Sequence, residues 1–539
     1  MPLTAETDID EGRGAAPGTA AVPRVGPPSN ATVCPPELAG LLAAAFLIRL
    51  GVFYFVPNVH WPDEIYQVLE PAHRLVFGTG AVSWEWVLGI RSWLLPGFLA
   101  GLMELGRLFG DRPTLINLPV EIFMAAAGCL PVLCGYGWGR RFHGRAGGVA
   151  VAAVAAVWID LVYMSGHTFD EVLAADTLAV ALYLGLPGDG AGMSRRRLWM
   201  VGAVMGLTFA LRFHLGPALA VAACGICGWR QSYERWLALL AGACIPIMAM
   251  GVLDWVTLGV PFQSVFINVW VNLALGVSSE AGREPFYTLW VLPFDIWGAV
   301  GFIAVVGTAV LGARRLPLLA YVALTIFAIH SLIPHKEYRF IYPAIPLLMI
   351  LAGLGTWEAA TALRRRLPGL AAPLPIVAGL SILLWGGISY AVAASPIFSI
   401  PWTRERAQIE AFRFVARQPG ACGVGLLGLR WPVTPGMSWL PPRVPLMQLS
   451  PAAPLRGTAA VNFILARAEI GAPGGSYLRV RCFAGDRDAG GDAHMRLCLW
   501  HRAGSCDGPP PPLPVNWPGV LVRALRQTPP PWDARESRR

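Results

Sequence analysis

The stretch ARRLPLLAYVALTIFAIHSLIPHKEYRFIYPAIPLLMILAGLGTWEAATALRRR, residues 313–366, decides the fold class. Arg314 and Arg315 precede an apolar run at 317–333. The charged hexapeptide HKEYRF follows at 335–340, then a second apolar run at 341–358, then Arg364–Arg366. A helix crosses the hydrocarbon core of a bilayer in roughly 17–25 residues, so each run is long enough. Two crossings joined by HKEYRF put both arginine clusters on one side of a membrane and the hexapeptide on the other. That is the arrangement the positive-inside rule favours.

The same pattern repeats outward from this stretch through all 539 residues. Hydrophobic residues make up 55% of the chain and charged residues 14%, with a mean hydropathy of +0.53. A soluble chain of this length carries charge on about a quarter of its residues. Further apolar runs fall at 39–56, 114–136, 147–165, 172–187, 237–258, 296–312 and 374–394. They are rich in Ala, Leu, Val and Gly without strict alternation, which fits helices and not a β-barrel. The stretch 198–228 is broken by Arg212, Phe213, His214 and Pro217 and reads as two short or tilted helices. The stretch 94–110 carries Glu104 and Arg107 and reads as interfacial or re-entrant. The predicted fold is an all-α polytopic membrane bundle of about 11 helices with a small α/β domain after it.

Three regions follow. Residues 1–38, rich in Pro, Ala and Gly, are predicted to be disordered. No cleavable signal peptide is evident, because the first apolar run begins only near residue 39. Residues 39–395 form the membrane module, whose first outer loop spans 57–113, and residues 396–539 form an outer-face domain. With the N-terminus inside, Arg140, Arg141, Arg145, Arg195–Arg197, Arg230, Arg235, Arg314, Arg315 and Arg364–Arg366 all fall inside. Residues 57–113, 164–171, 259–295 and 334–340 then fall outside, with the tail. This parity requires that 94–110 does not cross and that 198–228 crosses twice or not at all. The net charge of +9 therefore reads as an orientation signal, and a nucleic-acid partner is rejected.

The ten cysteines show no metal-ligand spacing. Cys224 and Cys227, inside an apolar helical stretch, read as packing residues. Cys422, Cys482, Cys498 and Cys506 lie in the tail, where an oxidising compartment allows one or two disulfides. The tail opens with RERAQIEAFRFVARQPGACGVGLLGLRW, which reads as a helix, a Pro-Gly turn and an apolar strand. Nothing in it looks catalytic.

Chemistry gathers in the outer segments. The first loop contains NVHWPDEIYQVLEPAHRLVFGTGAVSWEWVLGIRSW, residues 58–93. A helix starting near Pro62 places Asp63, Gln67 and Glu70 on one face. The plain alternative is an amphipathic helix on the membrane surface, with its tryptophans at the headgroup level. His167, Asp170, Glu171, Asp176, Glu121 and Asp254 add ionisable groups at or within outer helix ends, where such groups are costly and commonly line a cavity. Lys336 is the only lysine in the chain. Its compact ammonium suits a tight site where a planar guanidinium does not fit.

PDEIYQVLEPAH at 62–73, SWEW at 83–86 with IRS at 90–92, and HKEYRFIYPAIPLL at 335–348 together resemble glycosyltransferase family 22, the polytopic mannosyltransferases of the GT-C class. Within it the chain is most similar to the branch that adds the third mannose of glycosylphosphatidylinositol anchors. A weaker match covers 254–293, where Trp255 stands in place of the usual serine. The resemblance runs with gaps over about residues 40–350. It implies a GT-C-like bundle in the inner membrane or endoplasmic reticulum, with the active site facing periplasm or lumen. It also implies a polyprenyl-phosphate sugar as donor, mannose as the sugar, and a glycan or glycolipid acceptor at the surface of the membrane lipid.

On such a donor, transfer needs a carboxylate base for the acceptor hydroxyl and cations for the departing phosphate. Asp63 is the expected base and Glu64 the alternative. Lys336, helped by His335 and Arg339, is expected to hold the phosphate, with Glu337 orienting them and Arg91 a second phosphate candidate. Trp84, Trp86 and Tyr66 are expected to stack on sugar or cover lipid, and Gln67, Glu70, Glu85 and Asp254 to complete substrate binding. No metal or cofactor is expected. A single displacement inverts the anomeric centre. The rival reading is a polytopic transporter or flippase of a lipid-linked glycan. Transporters commonly show two repeated halves with matching broken helices, and only 198–228 is broken here.

Overall fold

The computed structural model describes residues 34–186, 193–228, 233–370, 372–450 and 458–527, apart from 472, 475, 487–494 and 509. The predicted disorder of 1–38 and the arginine at 230 therefore lie largely or wholly outside the described residues.

Proline starts many of the helices, since its missing N–H is unpaired in a first turn anyway. It does so in α1 (Pro36–Phe55), and again below. After α1 the chain makes a π-helical turn, Glu64–Leu69, which continues into α2 (Glu70–Phe77). Two further helices complete the first loop, α3 (Trp84–Leu88) and α4 (Leu94–Arg107). α4 buries Leu95, Leu99 and Met103 and exposes Phe98 and Leu105, the two-faced pattern of an interfacial helix.

α5 (Pro113–Ala127) and α6 (Leu130–Val157) replace the two predicted spans 114–136 and 147–165. The expected arginine loop between them is itself helical. The direction changes instead at Gly144, where φ is +71°, a backbone conformation open to glycine at no steric cost. α7 (Ile159–Met164) and α8 (Asp170–Gly185) follow. The broken stretch is α9 (Arg195–Leu211), a short turn at Phe213–Leu215, and α10 (Gly216–Cys227), as its sequence predicted. Next come α11 (Tyr233–Leu258), α12 (Gln263–Val269) and α13 (Thr288–Ala313). α13 begins eight residues before its predicted span and kinks at Gly298. α14 (Pro317–Ser331), α15 (Tyr338–Ile341), α16 (Ile345–Arg366) and α17 (Leu374–Ala393) close the bundle.

Among the described residues, six helices are long and apolar enough to cross a membrane, with Phe213–Cys227 and Pro317–Ser331 as shorter apolar companions. α16 is the central one and is buried from Ile345 to Trp357. It packs against α13 so closely that a Cβ on Gly312 or Gly355 would lie about 2 Å from the facing backbone. Small residues at a crossing substitute for a hydrophobic driving force inside lipid. α1, α11, α13 and α17 expose Leu47, Val252, Ile303 and Leu383, as lipid-facing helices do.

The bundle has two chemically distinct ends. α16 carries HKEYRF before its start and Arg364–Arg366 at its end, and its 22 residues span about 33 Å. At the arginine end, Arg145 pairs with Glu37, Arg195 with Glu234, and Arg315 with Glu358. At the other end Arg212, in the break between α9 and α10, pairs with Glu171. The stretch 198–228 therefore leaves the arginine end and returns to it, one of the two courses the predicted parity allows.

After α18 (Pro396–Thr403), the tail forms α19 (Arg406–Ala416) and a five-stranded sheet ordered β2-β1-β3-β5-β4. β1 (Val424–Leu427) runs parallel to β2 (Leu446–Leu449) and β3 (Phe463–Arg467). β5 (Met495–His501) runs antiparallel to β3 and to β4 (Leu478–Asp486). Disulfides join Cys422 to Cys506 and Cys482 to Cys498. The Cys224 and Cys227 thiols remain free.

Candidate active site

Asp63 sits at the lip of the first loop, in the turn before the π-helical segment. One of its oxygens accepts a hydrogen bond from Nη2 of Arg339, 276 residues later. The first loop and HKEYRF therefore meet, and they meet through the arginine. The Arg339 guanidinium also donates from Nε to Glu337 and lies 3.9 Å from Glu171. It stands over the rings of Phe169 and Phe340 at 5.2 and 5.4 Å. Side-chain exposure separates the pair: Arg339 is 7% exposed and Asp63 26%. The carboxylate is reachable while the cation beneath it is fixed.

Glu64 is placed differently from its neighbour. It is buried, one oxygen accepts from the backbone N–H of His60 at 2.6 Å, and the other lies 2.7 Å from Nδ1 of His167. Both oxygens are committed.

Lys336 does not face Asp63. Its ammonium donates to the backbone carbonyls of Ile333 at 2.6 Å, Glu284 at 3.1 Å and Pro334 at 3.4 Å. Three rotatable donors on a point charge match three converging carbonyls, and this answers why an ammonium stands here. Beside it, Nε2 of His335 lies 2.7 Å from Glu337. That hydrogen bond holds the imidazole above its ordinary value. Burial works against ionisation of Glu337, but Arg339 and His335 outweigh it and hold the carboxyl well below the usual range.

Arg91 donates to Glu85 through Nη2 at 2.6 Å and Nε at 3.1 Å, and Gln67 donates to the same oxygen at 3.1 Å. Burial raises the Glu85 carboxyl despite Arg91. Gln67 and Arg91 line a narrow cavity with Asp170, Arg212, His214 and Ser264. Asp254, fully buried, accepts from the backbone N–H of Ser264 at 3.0 Å and from its hydroxyl at 2.5 Å, so it fixes one wall of that cavity from behind.

Glu70 does not join Asp63 and Gln67. The π-helical turn adds residues to the helical repeat, so the face predicted from ordinary spacing splits. Glu70 is fully buried and accepts backbone N–H groups of Ala81 at 2.9 Å, Met437 at 3.1 Å and Ser438 at 3.0 Å. Tyr66 likewise turns to the tail, donating to the Trp431 carbonyl and meeting the Thr434 hydroxyl at 2.8 Å. Trp84 receives Asn516 of the tail on its backbone N–H at 3.2 Å. Trp86 donates to the Tyr66 carbonyl at 3.0 Å and packs on Trp93 with ring centres 4.3 Å apart. These residues fasten the tail and shape the loop.

Two groups outside the expected set belong with the site. Glu171 bridges Arg212 at 3.0 Å and Arg339 at 3.9 Å, and Arg212 lines the cavity. Glu171 was legible as an ionisable group at an outer helix end, and Arg212 as part of the interruption of an apolar stretch by Arg212, Phe213 and His214 opposite the arginine loops.

A "GPI mannosyltransferase 3" of Yarrowia lipolytica is 26% identical to this chain over 428 residues, covering 74% of each chain. A "GPI alpha-1,2-mannosyltransferase 3" of Danio rerio is 25% identical over 337 residues, 59% of this chain and 60% of that relative, so the chain spans about three-fifths of the animal relative's length. The crystal structure of ArnT from Cupriavidus metallidurans bound to undecaprenyl phosphate superposes with a TM-score of 0.56 over 88% of this chain and 99% of that one. At 14% identity this is a likeness of fold alone. The model of the Alg9-like mannosyltransferase family matches residues 41–416, and with that match over most of its length the chain belongs to that family.

Proposed function

We propose that this mannosyltransferase takes its sugar from a polyprenyl-phosphate donor and passes it, with inversion, to a glycan or glycolipid acceptor at the membrane surface. The observation that carries the reading is the reachable Asp63 carboxylate seated on the buried Arg339, beside a cavity lined by Arg91 and Arg212. Asp63 takes the proton as the acceptor oxygen bonds to the anomeric carbon. The bond from that carbon to the phosphate oxygen breaks, its electron pair goes to the phosphate, and polyprenyl phosphate leaves. Arg91 and Arg212 offset the charge that develops on the phosphate. Glu337 and Glu171 hold Arg339 in place. Lys336, spent on carbonyls, fixes the loop from Glu284 to HKEYRF.

The donor's tail needs lipid-facing helices, which the bundle supplies. The site lies opposite the arginine loops and on the side of a tail with two disulfides, which supports a periplasmic or lumenal active site. The transporter reading has no observation in its favour. Membranes containing the protein, given radiolabelled polyprenyl-phosphate mannose, should label a lipid-linked or glycan product. The same membranes given only a nucleotide sugar, with lipid-carrier synthesis blocked, should not. Labelling by the nucleotide sugar alone would overturn the donor class.

A further inference from the structure

The arginine end of the bundle holds a cavity that sugar transfer does not use. Its volume is about 580 Å³, within the range of small-ligand sites. It lies where the kink of α6 meets the ends of α13 and α16 and the start of α17. His143, Arg315, Glu358, Thr361, Arg364 and Arg365 line it. Glu358 is engaged by Arg315 at 2.6 Å. Among the described residues, Arg364 and Arg365 make no hydrogen bond or ion pair. Three guanidiniums thus face one carboxylate. His143 is 9% exposed, and its Nε2 lies 3.4 Å from the same Glu358 carboxylate without a hydrogen bond between them.

The apolar surroundings narrow the ligand class. Trp357, Ala150 and Ala378 pack beneath the cavity with Leu374 and Val377. α17, which begins at the lining residue Leu374, exposes Ile376, Leu380 and Leu383 along its length. A polar, positively charged opening beside a lipid-facing apolar stripe fits a headgroup with its acyl chains attached. Basic pockets between helices on the positively charged side of a membrane protein bind such headgroups.

We propose that this cavity is a binding site for the phosphate of an anionic membrane phospholipid. Arg364 and Arg365 contact the phosphate oxygens, and the chains run along α17. A soluble phosphate would use the same guanidiniums, so the test separates the two.

The purified protein is placed in nanodiscs of phosphatidylcholine alone, or of phosphatidylcholine and phosphatidylglycerol in equal parts. Lipid retained after detergent extraction is counted by native mass spectrometry. The wild type should retain phosphatidylglycerol, and the double variant R364Q/R365Q should retain it at least about tenfold less. The variant R140Q/R196Q removes two exposed arginines outside the cavity and should behave as wild type. The single R365Q, at an exposed side chain without contacts, should lose several-fold and guards against an unfolded double variant. Glycerol phosphate added to phosphatidylcholine nanodiscs should neither bind nor displace the lipid. Equal loss in both double variants would reduce the effect to general surface charge. Binding of glycerol phosphate in place of lipid would assign the cavity to a soluble anion. Either result overturns the proposal.

Discussion

Adjacent carboxylates can have opposite fates, and Asp63 and Glu64 do. Glu64 is buried with both oxygens bonded, while Asp63 keeps a reachable face over Arg339. Asp63→Asn should lower turnover roughly a hundredfold to ten-thousandfold, the range for loss of a general base, while Glu337 and Glu171 remain to pair with Arg339 and keep the fold. Glu64→Gln should instead destabilise the fold by about 2 kcal/mol, because charge-assisted hydrogen bonds are lost in a buried place. Radiolabelled transfer and thermal unfolding in detergent, measured on both variants, check the split; an Asp63→Asn enzyme with near-normal turnover would refute it. The sequence pointed to this pair but could not rank them, since the ranking depends on His60 and His167 folding over one of them. Lys336 is the same lesson. Its rarity was legible, but a bond to backbone carbonyls leaves no mark in residue types. The neighbouring ion pair predicts a pH dependence. The imidazole of His335 is raised by Glu337, so its contribution is full below the ordinary histidine value of about 6.5 and fades as pH rises through its folded value. Glu337 is lowered, so its contribution is full above the ordinary carboxyl value of about 4.3 and fades only in stronger acid. Stability from the pair should therefore peak between those values. His335→Gln should flatten the fall in unfolding temperature above the window; an unchanged slope would remove His335 from the account.

Among the elements, long apolar helices were readable and departures from regular helix were not. The break at Arg212–Pro217 announced itself by charge, whereas the kink at Gly144 lies in a stretch whose arginines look like a loop. The π-helical turn at Glu64–Leu69 has no composition signature at all, and it redirects Glu70 from the cavity to the tail. There Glu70 joins the first loop to the segment Trp431–Leu440 by two of its three backbone hydrogen bonds, with Asn117 adding a bond to the Ser438 carbonyl at 3.0 Å. The element that carries Asp63 is thus braced by the tail domain. Glu70→Ala leaves three buried N–H groups without an acceptor, a cost of about 3 kcal/mol or more. Hydrogen exchange should rise at residues 431–440 and in the Asp63 turn together. Exchange confined to the tail would show that the brace does not reach the site.

At the scale of the whole molecule, the argument rests on two opposed ends. The arginine clusters predicted the sidedness only if 94–110 does not cross and the broken stretch 198–228 crosses twice or not at all, and sequence could not decide between the last two, because neither half is long enough to be read as a span by itself. Ion pairs decide it. Arg195 and Glu234 bring the N-terminal ends of α9 and α11 together at the arginine end, and Arg212 meets Glu171 at the site end. Charge patterning and disulfides then point the same way, one from each end of the bundle. The sidedness has a direct test in sealed vesicles of known orientation. With the exposed Cys34 and Cys244 replaced by serine, Arg196→Cys and Arg430→Cys each add one exposed thiol, the first at the arginine end and the second in the tail. A membrane-impermeant maleimide should label Cys at 430 from the periplasmic or lumenal side only, and Cys at 196 from the cytoplasmic side only. Labelling of both from one side would place site and arginine loops on the same face, and the polyprenyl-phosphate donor would lose the compartment that the proposed reaction assigns to it.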